Sequence, residues 1–112
     1  MVIAIDFDGT ITKESKYPEV GELRDDAIAC IKKLQEHGHE CFLWTCRQGK
    51  TLTDAINALL KAGVEMSVMS PYDFSVSFGR KPIADVYIDD LAFKAYGESV
   101  DWSRIESNLL KG

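Results

Sequence analysis

The chain has 112 residues, of which 46% are hydrophobic and 28% charged, and its formal net charge is −5. This length and composition predict one soluble globular domain spanning residues 1–112. The negative charge disfavours nucleic acid as a partner, although a local basic patch would override it. No apolar stretch approaches the roughly 20 residues that a membrane helix needs, and no export signal is apparent, so we expect a cytoplasmic protein with no membrane partner.

Four apolar runs predict the strands, in chain order over residues 2–5, 41–44, 64–69 and 86–88. Apolar residues recur at helical spacing between residues 27 and 34 and again between residues 52 and 60, and Gly38 and Gly63 follow these segments as stops. Thr51 and Asp54 suggest a capping box at the start of the second helix. A short helix is predicted over residues 91–96, and a last one runs from Asp101 as N-cap to residue 109.

Strands that alternate with helices predict a parallel sheet with right-handed crossovers and helices on both faces. The expected fold is therefore a three-layer α/β/α Rossmann-like domain whose central sheet is mainly parallel. Each gap between strands is filled by about one helix and a loop, so no cap or second domain fits between them.

Two carboxylates follow the first strand directly, in the segment Asp6-Phe7-Asp8-Gly9-Thr10. Five apolar residues precede them, as is typical of a strand buried on both faces in the middle of a parallel sheet. Strand residues alternate in direction, so Asp6 and Asp8 should point the same way, with Phe7 opposite. Open α/β sheets bind ligands at this edge, and a bound cation would relieve the repulsion between two carboxylates held so close together.

Three further groups follow later strands or lie next to them. Thr45 follows the second strand, with Arg47 two residues on; Lys81 precedes the fourth strand, and the pair Asp89-Asp90 ends it. Because the carboxyl ends of parallel strands share one edge, these groups can converge on Asp6 and Asp8.

These residue types suit phosphoryl transfer through an aspartyl-phosphate. Mg²⁺ can cancel the repulsion between an attacking carboxylate and a phosphate monoester. Thr45 can donate a hydrogen bond to a phosphoryl oxygen, and Lys81 can neutralise charge on the transferred group. Asp8 is placed to protonate the leaving oxygen and then to deprotonate the attacking water. Arg47 suits a phosphate or carboxylate of the substrate, but a solvated residue before a helix is an equal interpretation.

The sequence resembles the haloacid-dehalogenase superfamily of aspartate-based phosphohydrolases. Its D-x-D-G-T motif is matched by residues 6–10, its Thr or Ser after a strand by Thr45, its Lys by Lys81, and its acidic pair by Asp89-Asp90. The matches occur in the family's order between residues 6 and 90. Lys50 and Lys94 remain alternatives to Lys81, because either can reach the same edge.

The resemblance implies Asp6 as the nucleophile and Asp8 as the acid/base. It implies Mg²⁺ bound by the Asp6 carboxylate, the Asp8 main-chain carbonyl and Asp89, with Asp90 either as a supporting ligand or orienting Lys81. Gly9 and Thr10 of the first motif are expected to bind the substrate, and so is Arg47, which belongs to no motif. The second Asp of the first motif points to phosphate ester hydrolysis, since the dehalogenase branch lacks it.

Most members of that superfamily carry an inserted cap domain, and this chain resembles a small capless member. A cap encloses small substrates and excludes water. We therefore expect either a large substrate or a second copy of the chain that supplies a lid. Residues 13–18 form a candidate flap with Tyr17 near the substrate, and residues 71–78 a candidate core or subunit contact. The chemical class of the phosphorylated substrate stays open.

Two other functions use the same residue types. The first is a non-catalytic phospho-acceptor module that resembles response-regulator receivers, and the second is an inactive scaffold. Receivers place their acidic pair on the first strand and the phosphorylated Asp on the third, so the order of motifs disfavours this function. The cysteines Cys30, Cys41 and Cys46 are odd in number and lack a C-x-x-C pairing, which predicts reduced thiols.

Overall fold

The computed structural model describes residues 1–69, 84–89 and 101–110. Four strands and three helices lie in these ranges, and Lys81, Asp90, the predicted helix over residues 91–96 and the loop at residues 71–78 lie outside them. The elements are β1 (Val2–Ile5), α1 (Asp25–Glu36), β2 (Glu40–Trp44), α2 (Gly49–Lys61), β3 (Ser67–Met69), β4 (Val86–Ile88) and α3 (Trp102–Leu109).

The four strands form one parallel sheet in the order β3-β2-β1-β4. The first strand therefore lies inside the sheet, and its successive residues Ile3, Ala4 and Ile5 are all buried. Alternate residues of a strand face opposite sides, so this burial means that both faces of β1 are covered. Within residues 1–69, 84–89 and 101–110, the prediction of a Rossmann-like α/β/α domain with a mainly parallel sheet and no cap is confirmed.

Helices α1 and α3 pack against each other, and this packing brings the end of the described chain back to the sheet. Ala27, Ile31 and Leu34 of α1 belong to the same buried core as Trp102 and Ile105 of α3. Asp101 is the N-cap of α3, and its carboxylate accepts a hydrogen bond from the Arg104 N–H, as predicted.

Gly38 and Gly63 follow α1 and α2 by two residues and have positive φ, so both predicted helix stops are confirmed. The predicted start of α2 is wrong. The helix begins at Gly49, and its capping box is formed by Gln48 and Thr51. Asp54 takes no part in this capping box, because its carboxylate pairs with Lys50 within the helix.

The strand predicted over residues 64–69 is shorter, since only Ser67–Met69 join the sheet. Val64 and Glu65, at the start of the predicted strand, form hydrogen bonds outside the sheet. The Val64 N–H donates to the Leu59 carbonyl at the end of α2, and the Glu65 carbonyl accepts a hydrogen bond from the Gln35 side chain. These hydrogen bonds to α2 and to the distant Gln35 replace the strand pairing that the apolar pattern suggested.

Across residues 1–69, 84–89 and 101–110, no helix has the length and apolar character needed to cross a membrane.

Candidate active site at the carboxyl ends of the strands

The site begins where β1 ends. The Asp6 N–H donates to the Ile88 carbonyl at 2.9 Å, and Ile5 pairs with Ile88 in the register of β1 and β4. Asp89 follows Ile88 directly, so the carboxyl ends of these two neighbouring strands bring Asp6 and Asp89 next to each other. On the other side of β1, Ile5 pairs with Leu43 of β2, two residues before Thr45.

Asp6 and Asp8 line one cleft of about 420 Å³, together with Ser15, Tyr17, Thr45, Cys46 and Arg47. Phe7, between the two carboxylates, is fully buried in the core. The chain then turns sharply, with the N–H groups of Thr10 and Ile11 both donating to the Phe7 carbonyl. The prediction that Asp6 and Asp8 face the same side is confirmed by this shared cleft, and Thr45 lies with them.

Arg47 is the most heavily bonded side chain of the cleft. Its Nε donates to Asp8 Oδ2 at 2.8 Å and one Nη to Asp8 Oδ1 at 2.7 Å, a bidentate ion pair. The remaining N–H groups reach the main-chain carbonyls of Pro18, Glu19 and Thr51 at 2.8–3.1 Å. All five donors of the guanidinium are therefore engaged within the protein. The hydrogen bonds to Asp8 raise the pKa of Arg47 above its already high ordinary value.

The same guanidinium lies over two aromatic rings. Its central carbon is 5.3 Å from the ring centroid of Phe7 and 5.2 Å from that of Tyr17. Only 1% of the Arg47 side chain is exposed, against 20% of Asp8. This residue therefore joins the second strand end to the turn after β1 and to the loop around Tyr17.

The three residues expected to bind substrate have structural roles in this fold. Arg47 has no N–H left for a ligand. Thr10 is fully buried, and its hydroxyl lies 3.5 Å from Asp6 Oδ2. The Gly9 N–H donates to the Thr12 hydroxyl at 2.9 Å, so it is engaged within the turn. We therefore assign these residues to positioning Asp6 and Asp8 instead of contacting a substrate.

Thr45 is 4% exposed, and its hydroxyl oxygen accepts a hydrogen bond from the Arg47 N–H at 3.1 Å. A hydroxyl that accepts through its oxygen can still donate its proton. Thr45 is thus fixed at the wall of the cleft with its hydroxyl proton available, and its role toward a phosphoryl oxygen stays a prediction.

A residue far along the chain supports the first turn. Trp102, at the start of α3, is 1% exposed, and its indole N–H donates to the Thr10 carbonyl at 3.0 Å. No pattern in the sequence gave a sign of this hydrogen bond. Ser15 lines the cleft from the candidate flap at residues 13–18, whereas Cys46, which also lines it, was not predicted, since a single small residue next to a motif carries no pattern.

The oxygen donors that the sequence predicts for a metal ion are of the kind that a hard divalent cation prefers. In the described part of the chain, no three His, Cys, Asp or Glu side chains are close enough to hold a metal ion. The expected ligand set needs only two such side chains, because it combines the Asp6 and Asp89 carboxylates with the main-chain carbonyl of Asp8. Such all-oxygen sets suit Mg²⁺, which keeps several waters when it binds proteins.

Two of the three thiols are unsuited to nucleophilic chemistry. Cys30 and Cys41 are buried, and burial raises the pKa of Cys30 to about 12 and that of Cys41 to about 11. Both are thus protonated thiols at neutral pH. All three cysteines are free, so the prediction of reduced thiols is confirmed.

The chain was compared with known proteins. It matches the structure of a conserved protein from Bacteroides thetaiotaomicron with 35% sequence identity and a TM-score of 0.80. The match covers 99% of this chain and 90% of that one. No protein-family model matches the chain, and neither does any curated protein.

Proposed function

We propose that this chain, which belongs to the same family as the conserved Bacteroides thetaiotaomicron protein, is a magnesium-dependent phosphohydrolase of the haloacid-dehalogenase type. The observation that carries the proposal is the convergence of three groups in one cleft. Asp6 and Asp8 leave the end of a buried central strand, and Thr45 faces the same cleft from the next strand. This cleft lies where open α/β sheets bind ligands.

The proposed reaction has two steps. In the first, a carboxylate oxygen of Asp6 forms a bond to phosphorus while the ester P–O bond breaks, and Asp8 gives a proton to the leaving oxygen. In the second, water attacks the aspartyl-phosphate, Asp8 takes the water's proton, and inorganic phosphate leaves with the Asp6 carboxylate restored. Each proton that Asp8 donates is thereby recovered, and the enzyme returns to its starting state.

The surrounding residues stabilise and orient the reacting groups. Thr45 donates to a phosphoryl oxygen, and Lys81 is the proposed cation that neutralises charge on the transferred group. Asp6, the Asp8 carbonyl, Asp89 and Asp90 are the proposed ligands of Mg²⁺. When bound, this ion supplies positive charge that offsets the repulsion between the nucleophile and the phosphate.

The compartment that we propose is the cytoplasm. Disulfides form and persist in oxidising compartments, and the three free cysteines, two of them buried, suit a reducing one. The proposed partner is a phosphorylated substrate, and a second copy of the chain remains a candidate lid for the capless site.

The proposal is tested by the variant Asp6→Asn, assayed with p-nitrophenyl phosphate in the presence and absence of Mg²⁺. We expect wild type to hydrolyse the ester only with Mg²⁺, and Asp6→Asn to lose at least about 1,000-fold in kcat, because it lacks the nucleophile. Asp54→Asn, which removes a carboxylate from the exposed ion pair with Lys50, is the matched control and should keep its activity. Circular dichroism checks that both variants fold.

Other results would contradict the proposal. Hydrolysis by Asp6→Asn at the wild-type rate would remove Asp6 as the nucleophile. A wild-type protein that takes up phosphate from acetyl phosphate and keeps it for hours without turnover would be a receiver-like module. A protein that neither turns over phosphate esters nor is stabilised by Mg²⁺ would be an inactive scaffold.

A further inference from the structure

Tyr17 stands at the rim of the cleft with an unusual degree of exposure for a large aromatic side chain. Its exposed fraction is 61%, and it lines the same cleft as Asp6, Asp8 and Thr45. Folding normally buries such rings, and an exposed aromatic side chain next to convergent polar groups is a common feature of ligand sites.

Arg47 fixes the position of the Tyr17 ring. The Arg47 guanidinium lies 5.2 Å from the ring centroid, and it donates hydrogen bonds to the carbonyls of Pro18 and Glu19, the two residues that follow Tyr17. Arg47 is itself buried, so both the ring and the main chain next to it rest on a fixed support. A preorganised ring loses little conformational entropy when a ligand stacks on it.

The same guanidinium sets the position of Tyr17 relative to the chemistry. Arg47 holds both carboxylate oxygens of Asp8 at 2.7–2.8 Å and lies against the Tyr17 ring. In the proposed function, Asp8 protonates the leaving oxygen. The substituent on that oxygen must therefore leave the cleft beside Asp8, which is the side where the exposed ring stands.

We infer that Tyr17 is a specificity-determining residue whose exposed ring stacks on a planar ring in the leaving group of the substrate. The inference rests on the proposed function, which gives the direction in which the leaving group points. It limits the proposed substrates to phosphate monoesters of alcohols that carry a planar ring. Stacked aromatic pairs favour a planar ring over a saturated one by about 3- to 10-fold.

The test compares benzyl phosphate with cyclohexylmethyl phosphate. Both are esters of primary alcohols of similar size, and they differ in whether the ring is planar. We expect wild type to show kcat/KM about 3- to 10-fold higher for the benzyl ester. Tyr17→Phe should keep this ratio, and Tyr17→Leu should bring it close to one. The ratio cancels any loss of activity common to both esters.

Binding of benzylphosphonate and cyclohexylmethylphosphonate, measured by calorimetry with Mg²⁺ present, gives a second readout that needs no turnover. A preference for the benzyl compound that Tyr17→Leu removes supports the inference. The inference is overturned if wild type binds the two phosphonates with equal affinity, or if Tyr17→Leu still prefers the benzyl compound.

The same measurements separate this inference from the proposed function. If the phosphonates show the Tyr17-dependent preference while neither ester is hydrolysed, the proposed function fails and the stacking role of Tyr17 is supported. If both esters are hydrolysed without that preference, the hydrolase stands and stacking fails.

Discussion

The guanidinium of Arg47 binds both carboxylate oxygens of Asp8, a residue 39 positions earlier in the chain, at 2.7 and 2.8 Å. A bidentate pair of this kind fixes the plane of the carboxylate as well as its position. The other donors of Arg47 hold the carbonyls of Pro18, Glu19 and Thr51. One side chain thus joins the proposed acid/base to the loop that forms the rim of the cleft.

Replacing this side chain should harm both stability and turnover. Arg47→Met leaves the Asp8 carboxylate and three carbonyls without their donors, so we expect the free energy of unfolding to fall by about 2–3 kcal/mol, measured by urea denaturation. Under conditions where the variant is folded, kcat should fall by about 10- to 100-fold, because Asp8 is no longer oriented.

Two variants control the Arg47 prediction. Arg104→Met removes an exposed arginine from α3 and should change the free energy of unfolding by less than about 0.5 kcal/mol. Arg47→Lys keeps the charge but lacks the planar fork, and should restore little of the stability or kcat. Wild-type stability in Arg47→Met would show that the ion pair with Asp8 contributes nothing to the fold.

Trp102 should affect the site from a distance. Trp102→Phe removes the hydrogen bond to the Thr10 carbonyl in the turn that carries Asp6 and Asp8, and we expect a loss of about 2 kcal/mol in the free energy of unfolding. The turn becomes less well held, so kcat should fall while KM changes little.

Ile105→Val is the matched control for Trp102, because it weakens the packing of α3 without touching the turn after β1. It should cost about 1 kcal/mol of stability and leave kcat unchanged. An equal effect of Ile105→Val and Trp102→Phe on kcat would mean that the hydrogen bond to Thr10 has no special role.

The thiols should differ sharply in reactivity. Cys46 is exposed, whereas Cys30 and Cys41 are buried and have pKa values raised to about 12 and about 11. We expect a disulfide reagent at pH 8 to modify one thiol rapidly in the native protein and all three after denaturation in urea. The variant Cys46→Ser should show no rapid phase. A rapid phase that survives in Cys46→Ser would contradict the burial of the other two thiols.

Asp26 should make stability depend on pH in the acid range. Burial by itself raises the pKa of this carboxyl, but hydrogen bonds from the Arg24 guanidinium and the Ala27 N–H outweigh it and lower the pKa below 3.8. A carboxyl with a lower pKa in the folded state stabilises the fold above its unfolded pKa, and this contribution is lost as the pH falls through the folded pKa.

The measurement compares the free energy of unfolding of wild type and Asp26→Asn between pH 7 and pH 2. The side chain is half exposed, so the difference at pH 7 should stay below about 1 kcal/mol. This difference in the free energy of unfolding should become smaller as the pH falls towards 2. When both proteins also carry Arg24→Met, the difference between them should depend less on pH. A difference in the free energy of unfolding that grows on acidification would contradict the assigned direction of the pKa shift.

Local patterns in the sequence were sufficient for most of the fold. The continuous apolar run before Asp6 predicted a strand covered on both faces, and the strand–helix alternation predicted the parallel sheet that the structure shows. The errors occurred where non-local or side-chain hydrogen bonds decide the outcome. Gln48 begins α2 through its side chain, and the carbonyl of Glu65 is held by Gln35 instead of a strand.

In the candidate site, too, the sequence predicted some residues and missed the roles of others. Asp6, Asp8 and Thr45 were predictable because a strand end is a local feature and parallel strands share an edge. The roles of Arg47 and Trp102 were not, because they depend on partners about 40 and 90 residues away. Lys81 and Asp90 remain predictions from the sequence, since they lie outside the described residues.

The sequence by itself thus determined which groups stand at the carboxyl edge of the sheet, because hydrophobic periodicity fixes strands and strand direction fixes the edge. Only the tertiary structure decided how those groups are held. Burial of Arg47 requires that every donor find an acceptor, and the acceptors are Asp8, the distant carbonyls of Pro18 and Glu19, and the nearby carbonyl of Thr51. Packing, which no local pattern encodes, therefore turned an expected substrate ligand into the support of the proposed acid/base and of Tyr17.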